Sequence, residues 1–221
     1  MRYTVIRQKR KTASIVINDK LEVLVKVPNY ITNKAIEDFI RQHETWILET
    51  LEKKRALYQK NDWYQTKQIL YLGTYWPVEL ISDLNKKPTV YRKEGRFIVI
   101  SNGSENIARK EMEKFFKKQA KEMLTELVNQ YAIKLGVSYQ KLTIRKQATR
   151  WGSCSSKGNL SFNMKILCAP LEMIAYVVLH EIVHLKHFNH SQDFWEEVAK
   201  WIPDYKVRMN YFKQFGQNFI L

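Results

Sequence analysis

Residues 171–190 read LEMIAYVVLHEIVHLKHFNH, and up to Leu185 the stretch is apolar on nearly every helical face: Ile174, Ala175, Val177, Val178, Leu179, Ile182, Val183 and Leu185. Pro170 stands just before it, where a residue without an N–H opens a helix at no cost, so the spacing predicts a helix from Leu171 to about Phe188. A helix that is apolar all round is a buried one. Yet His180, Glu181 and His184 stand in its middle. At 3.6 residues per turn, positions four apart share a face, so both imidazoles can reach one ion. Zinc accepts neutral imidazole nitrogen, and its catalytic sites keep three protein ligands and one water. Glu181, next to the first histidine, can then take that water's proton. A short H-E-x-x-H pattern also arises by chance, and buried histidines are often hydrogen-bonded core residues. Burying all three groups without partners would be costly, and an ion with its water supplies partners.

The third ligand lies among His187 and His190. Three ligands from one straight helix cannot easily surround an ion tetrahedrally, which counts against His187. Phe188-Asn189 can end the helix, Asn being suited to a left-handed cap, and His190 then approaches from another direction. Ser191 follows as the N-cap of a further helix whose stripe of Phe194, Trp195, Val198, Ala199 and Trp201-Ile202 packs behind His190 before Pro203.

Upstream, two strand-like segments, LTIRKQ (142–147) and NLSFNM (159–164), flank ATRWGSCSSKG and read as a hairpin, with Lys157-Gly158-Asn159 as turn chemistry. Arg150, Trp151 and Ser153 in that connection are candidate substrate-binding residues, because loops on a rigid scaffold often carry binding groups. Cys154 is a poor nucleophile, since the histidines that would activate it are better used on metal, and Cys168 reads as core. Two cysteines make no disulfide framework.

Further out, Ser14–Ile17 and Leu21–Val27 alternate around Asn18-Asp19-Lys20 and predict a β-hairpin ending at Pro28. Thr32 caps one long or two consecutive amphipathic helices reaching about Gln59. Residues 68–101 return to strands at 69–72, 78–81 and 96–100, and Ser101-Asn102-Gly103-Ser104 closes them. A long helix then runs to Leu135, with Gly136 as a left-handed C-cap. The expected organisation is α+β, with an N-terminal β-hairpin/helix/β subdomain over 1–103 and a catalytic subdomain over 104–221, the whole readable as one continuous domain.

With 221 residues, 45% hydrophobic and only 7 Gly and 5 Pro, the chain can bury a substantial core, and disorder is excluded. It carries no signal-peptide pattern and no run long enough to span a bilayer, so the expectation is a soluble, cytoplasmic protein without a membrane partner. Its 37 basic against 22 acidic residues leave a net charge of +15. That excess would suit a polyanion, but the lysines are mixed with glutamates at helical spacing, as on a solvated surface.

RWGSCSSKGNLSFNMKILCAP, IAYVVLHEIVHLKHFNHSQDFW and the IPDY element at 202–205 together resemble the YgjP-like metallohydrolases, relatives of the SprT-like metallopeptidase groups. The resemblance implies a zincin-like catalytic part: a sheet packed on a buried helix bearing His180, Glu181 and His184, with His190 completing the metal shell. It also implies a zinc-dependent hydrolase, foremost a metallopeptidase acting on a peptide or protein. A nucleoside triphosphate pyrophosphatase using Zn2+ or Mg2+ is the second expectation, with Arg150 as a phosphate clamp. A nucleic-acid-associated protein is the third, on net charge alone.

Overall fold

The computed structural model describes residues 2–18, 21–147 and 150–221. Two units form in this α+β chain, Met1–Lys60 and Asn61–Leu221. In the first, β2 (Ser14–Ile17) pairs antiparallel with β3 (Val23–Pro28) as the alternation predicts, Ile17 standing opposite Val23. Asp19 and Lys20 of the expected turn lie outside the described residues. β1 (Thr4–Gln8) joins β3 in parallel at the sheet edge. The sequence does not announce it, because most of its side chains are exposed and leave no alternating pattern to read. α1 (Asn33–Gln42) begins at Thr32, whose hydroxyl accepts from the Ala35 N–H, and α2 (Glu44–Asn61) follows after His43. Inward-facing Val23, Val25 and Val27 meet Ile36, Ile40, Ile47 and Leu51 in a small core of the unit's own.

The second unit opens with the short α3 (Trp63–Thr66) and a four-stranded sheet of order β4-β5-β7-β6: Gln68–Tyr71, Thr74–Ser82, Arg96–Ser101 and Thr89–Lys93. β4 and β5 are joined by Leu72-Gly73, both at positive φ, in the manner of a tight hairpin turn. That turn is docked: the Leu72 and Gly73 N–H groups donate to the carbonyls of Leu167 and Cys168. A side chain at Gly73 would meet the Pro170 ring at 2.7 Å, so a residue without Cβ is needed there on two counts.

α4 (Glu105–Leu135) ends at Gly136, which takes the left-handed conformation expected of it. Along one side it buries Ala108, Met112, Phe116, Ala120, Leu124, Val128 and Ala132, a four-residue spacing that makes one continuous ridge. That ridge packs against β6, β7, β8 and the helix bearing the histidines. The seam expected at residues 101–104 therefore separates no unit. Strands 68–101 share their core with the segments that follow residue 104, and the chain divides at residues 60 and 61 instead.

The last sheet is β8-β10-β9, made of Lys141–Arg145, Asn159–Asn163 and Gly152–Cys154. Here the expected hairpin is corrected: β8 and β10 run parallel, and the antiparallel partner of β10 is β9. The Trp-Gly-Ser-Cys segment is thus an edge strand rather than a loop, and the turn at residues 155–158 joins β9 to β10. A 3-10 turn at Met164–Cys168 leads into α5 (Leu171–Val183), then α6 (Gln192–Trp201) and α7 (Tyr205–Phe215). No helix among the described residues is long and apolar enough to cross a membrane.

Phe116, fully buried and in ring contact with Tyr71 and Phe97, sits where α4 meets the four-stranded sheet. Phe116→Ala is expected to cost about 3–5 kcal/mol, read as a lowered midpoint in chemical denaturation.

Candidate metal centre

α5 ends earlier than its apolar run suggests, at Val183, with His184 as the C-cap. Beyond it the backbone tightens, the N–H groups of Leu185 and Lys186 reaching back three residues. The His184 ring stabilises that turn: its Nδ1 lies 3.0 Å from the His187 carbonyl. Only a protonated nitrogen can donate there, so Nε2 keeps its lone pair for another partner. His187 is therefore off the helix, and its contact with the site is through its carbonyl.

The early stop lets the chain swing His190 back over α5. The Nε2 atoms of His190 and His180 are 3.1 Å apart, and ligand atoms of His180, His184 and His190 all lie within 4.8 Å of one another. Two nitrogens bound tetrahedrally at 2.0–2.1 Å would be roughly 3.3 Å apart, so the His180–His190 pair is spaced as two zinc ligands are, with His184 close by. Burial, with His184 and His190 close by, pushes His180 down to about 3, and burial also lowers His184. Both rings are held neutral, the form in which imidazole binds metal. Three nitrogen donors without a carboxylate suit zinc and suit magnesium poorly, so the expectation of Mg2+ finds no support.

Phe194, fully buried, touches all three imidazoles at centroid distances of 4.6–5.0 Å. His190 is exposed, and its ring stacks on Trp195, which stacks in turn on Tyr205. The aromatic stripe after Ser191 thus packs beside His190.

Glu181 is 6% exposed and lies against β9. Burial pushes its carboxyl up to about 7, while Arg150 and a hydrogen bond from the Cys154 N–H pull the other way. The ladder explains that bond. Trp151 O and Ser155 N are bonded to β10, so by alternation the backbone groups of Gly152 and Cys154 turn to the free edge. Gly152 matters as much: a Cβ there would come within 2.6 Å of both Cγ and Oε1 of Glu181. The glycine between Trp151 and Ser153 is the visible trace of a requirement that sequence reading had not placed.

Beside Glu181 and His180 opens a cavity of about 320 Å3, with Arg150, Trp151 and Gly152 on one side, Tyr176 and Val177 on α5, and Met209, Phe212 and Lys213 on α7. Arg150 and Trp151 thus line the cavity. Ser153 does not line the cavity; it is paired with Ser161 in the ladder. Tyr176 was missed, although it stands one turn before His180 on the same face. Asn163 was missed as well: its side-chain amide donates to the Gln147 and Arg150 carbonyls and so fixes the approach to β9. Trp151 is clamped between Phe212 and Phe219, with Gly216 so close that a Cβ would meet the indole at 2.7 Å. Burial pushes the Cys154 thiol up to about 11, Glu181 adding to the effect, and Cys168 up to about 12. Neither is a nucleophile at neutral pH.

A family model described as "YgjP-like, metallopeptidase domain" matches residues 11–215 and so spans both units. No curated protein gives a match. Among solved structures the chain is similar to the metallopeptidase zymogen of Pyrococcus abyssi abylysin, at 24% identity and a TM-score of 0.39 over 44% of this chain and 99% of that one. It is also similar to the zymogen of Methanocaldococcus jannaschii jannalysin, at 21% identity and a TM-score of 0.38 over 41% and 94%.

Elemental analysis should find near-stoichiometric zinc in the purified protein and in His187→Ala, whose carbonyl remains, and a large loss in His180→Ala, His184→Ala and His190→Ala. A second expectation concerns Glu181 in the metal-free protein. A carboxyl raised from 4.5 to about 7 destabilises the fold fully above pH 7 and not at all below pH 4.5. Glu181→Gln should therefore stabilise the fold at pH 8 by about 3 kcal/mol, read as a raised melting temperature, with the gain vanishing as the pH falls below 4.5.

Proposed function

The chain belongs to the YgjP-like metallopeptidase family, whose members are metal-dependent hydrolases, and on that premise we propose that it is a zinc peptidase with a zincin-like catalytic part, in which His180, His184 and His190 hold the ion and Glu181 is the general base. The observation that carries the reading is the convergence of three imidazoles beside a buried carboxylate at the free edge of a strand. Zinc in that position would supply a Lewis acid that makes water nucleophilic near neutral pH and polarises a carbonyl.

The rest falls to the chain's own groups. An extended peptide can add to the open edge of β9 through the backbone groups of Gly152, which sets its carbonyl across the end of α5. Glu181 takes a proton from the attacking water and returns it to the departing amine. Its elevated pKa suits both steps, because an acid–base group works best when it titrates near the working pH. The Cys154 N–H and the missing side chain at Gly152 hold the carboxylate in line. Tyr176, whose hydroxyl is pushed up to about 12 by burial and by Glu181, stays protonated and can donate to a developing oxyanion.

Zinc-loaded Glu181→Gln assayed on a peptide library should keep its metal and lose turnover by about 10²–10⁴-fold. Gly152→Ala should likewise keep zinc and lose turnover, because the added methyl displaces Glu181 and leaves the histidines untouched. Undiminished hydrolysis in Glu181→Gln would remove that residue from the mechanism.

A further inference from the structure

The cavity beside Glu181 is small for a ligand site, near the lower end of the range of about 300–1,000 Å3. It holds a single residue rather than a run of peptide. Its body is apolar: Trp151 and Val177 face Met209 and Phe212 across it. Its mouth is cationic, with exposed Arg150 entering from the approach to β9 and exposed Lys213 from α7. Among the described residues neither cation has an ion-pair partner within 4.0 Å. The one carboxylate in the lining is Glu181, whose charge Arg150 partly offsets, so Lys213 is left over and an ionised Glu181 still leaves a net +1 (two cations minus one anion).

An apolar body with a cationic mouth asks for a ligand with an apolar side chain and a single negative charge at the level of the backbone. An acidic side chain would put its charge inside, among Trp151 and Phe212, and a neutral peptide would gain nothing from Lys213. We propose that this cavity receives the carboxy-terminal residue of the substrate, a large apolar one, with its α-carboxylate held by Lys213 while Arg150 answers Glu181. The proposal rests on the peptidase reading for its biological meaning and makes the cleaved bond the one preceding that terminal residue. The adjacency of the cavity to both His180 and Glu181 puts the terminal residue's amide nitrogen on the side from which Glu181 returns the proton.

Calorimetric titration of the zinc-loaded protein with N-acetyl-phenylalanine, N-acetyl-phenylalanine amide and acetate tests the assignment without turnover. The free acid should bind about tenfold more tightly than its amide, as expected for one charge-assisted contact. Acetate, able to meet the metal but not to fill the cavity, should bind more weakly than the free acid. Lys213→Gln should bring the acid down to the affinity of the amide, while Met209→Trp, which fills the cavity and leaves both cations, should weaken both. Equal affinity of acid and amide, an unchanged preference in Lys213→Gln, acetate matching N-acetyl-phenylalanine, or no saturable binding would each overturn the proposal. Peptide hydrolysis is then read separately. Equal cleavage of free-acid and amidated peptides also overturns it, whereas the binding pattern without any hydrolysis upholds the cavity and refutes the peptidase reading.

Discussion

The desolvation of His180 and Glu181 within α5 is the constraint to which the rest of the second unit answers. Charged forms are expensive in such surroundings, so the histidine is kept neutral and the carboxyl is kept near its protonation point. Both states fit the proposed roles, the first binding metal and the second moving a proton. They carry a cost, to which the buried His180 Nδ1 adds, having no hydrogen-bond partner among the described residues. The offset is supplied by apolar packing around the same helix: Ile174, Val178, Leu179, Ile182 and Val183 are buried, and α4 lies against them with its ridge.

Rigid supports surround each functional group, and they come from distant parts of the chain. The β4–β5 turn bonds to the segment entering α5, so the helix that holds two imidazoles is anchored at its start by a sheet about a hundred residues upstream. At its far end Phe194 fills the space behind all three rings, and the stack of Trp195 on Tyr205 steadies the one that is exposed. The carboxy-terminal residues have a comparable part. Phe212 and Phe219 clamp Trp151, which forms a wall of the cavity and precedes the glycine against which Glu181 rests. α7 thus contributes to the cavity twice, through Lys213 at its mouth and through the indole it holds.

Several of these features are legible in the sequence and others are not. The long α4 with its Gly136 cap, the β2–β3 hairpin, the helix at Leu171 and the turn that brings His190 back beside His180 follow from local rules: periodicity, capping and helix termination. β1 and β6 lack that signal, since their residues are largely exposed and their pairing rests on neighbours elsewhere in the chain. The pairing of LTIRK with NLSFN has the right segments and the wrong direction. Strand character is a property of a few adjacent residues, whereas direction depends on the path taken between them.

By itself the sequence determined which groups stand together: two imidazoles one turn apart beside a glutamate, in surroundings too apolar to bury them unpartnered, and a third imidazole beyond a break in the helix. Those facts are fixed by spacing along one chain segment and by the cost of desolvation. Only the tertiary structure decided that Trp-Gly-Ser-Cys is an edge strand, that Gly152 is where Glu181 lies, that Ser153 is turned into the ladder, and that residues from α7 close a cavity beside the histidines. Each of these joins side chains from segments far apart in sequence, and which of them meet is set by packing, which leaves no periodic trace in the segments that take part.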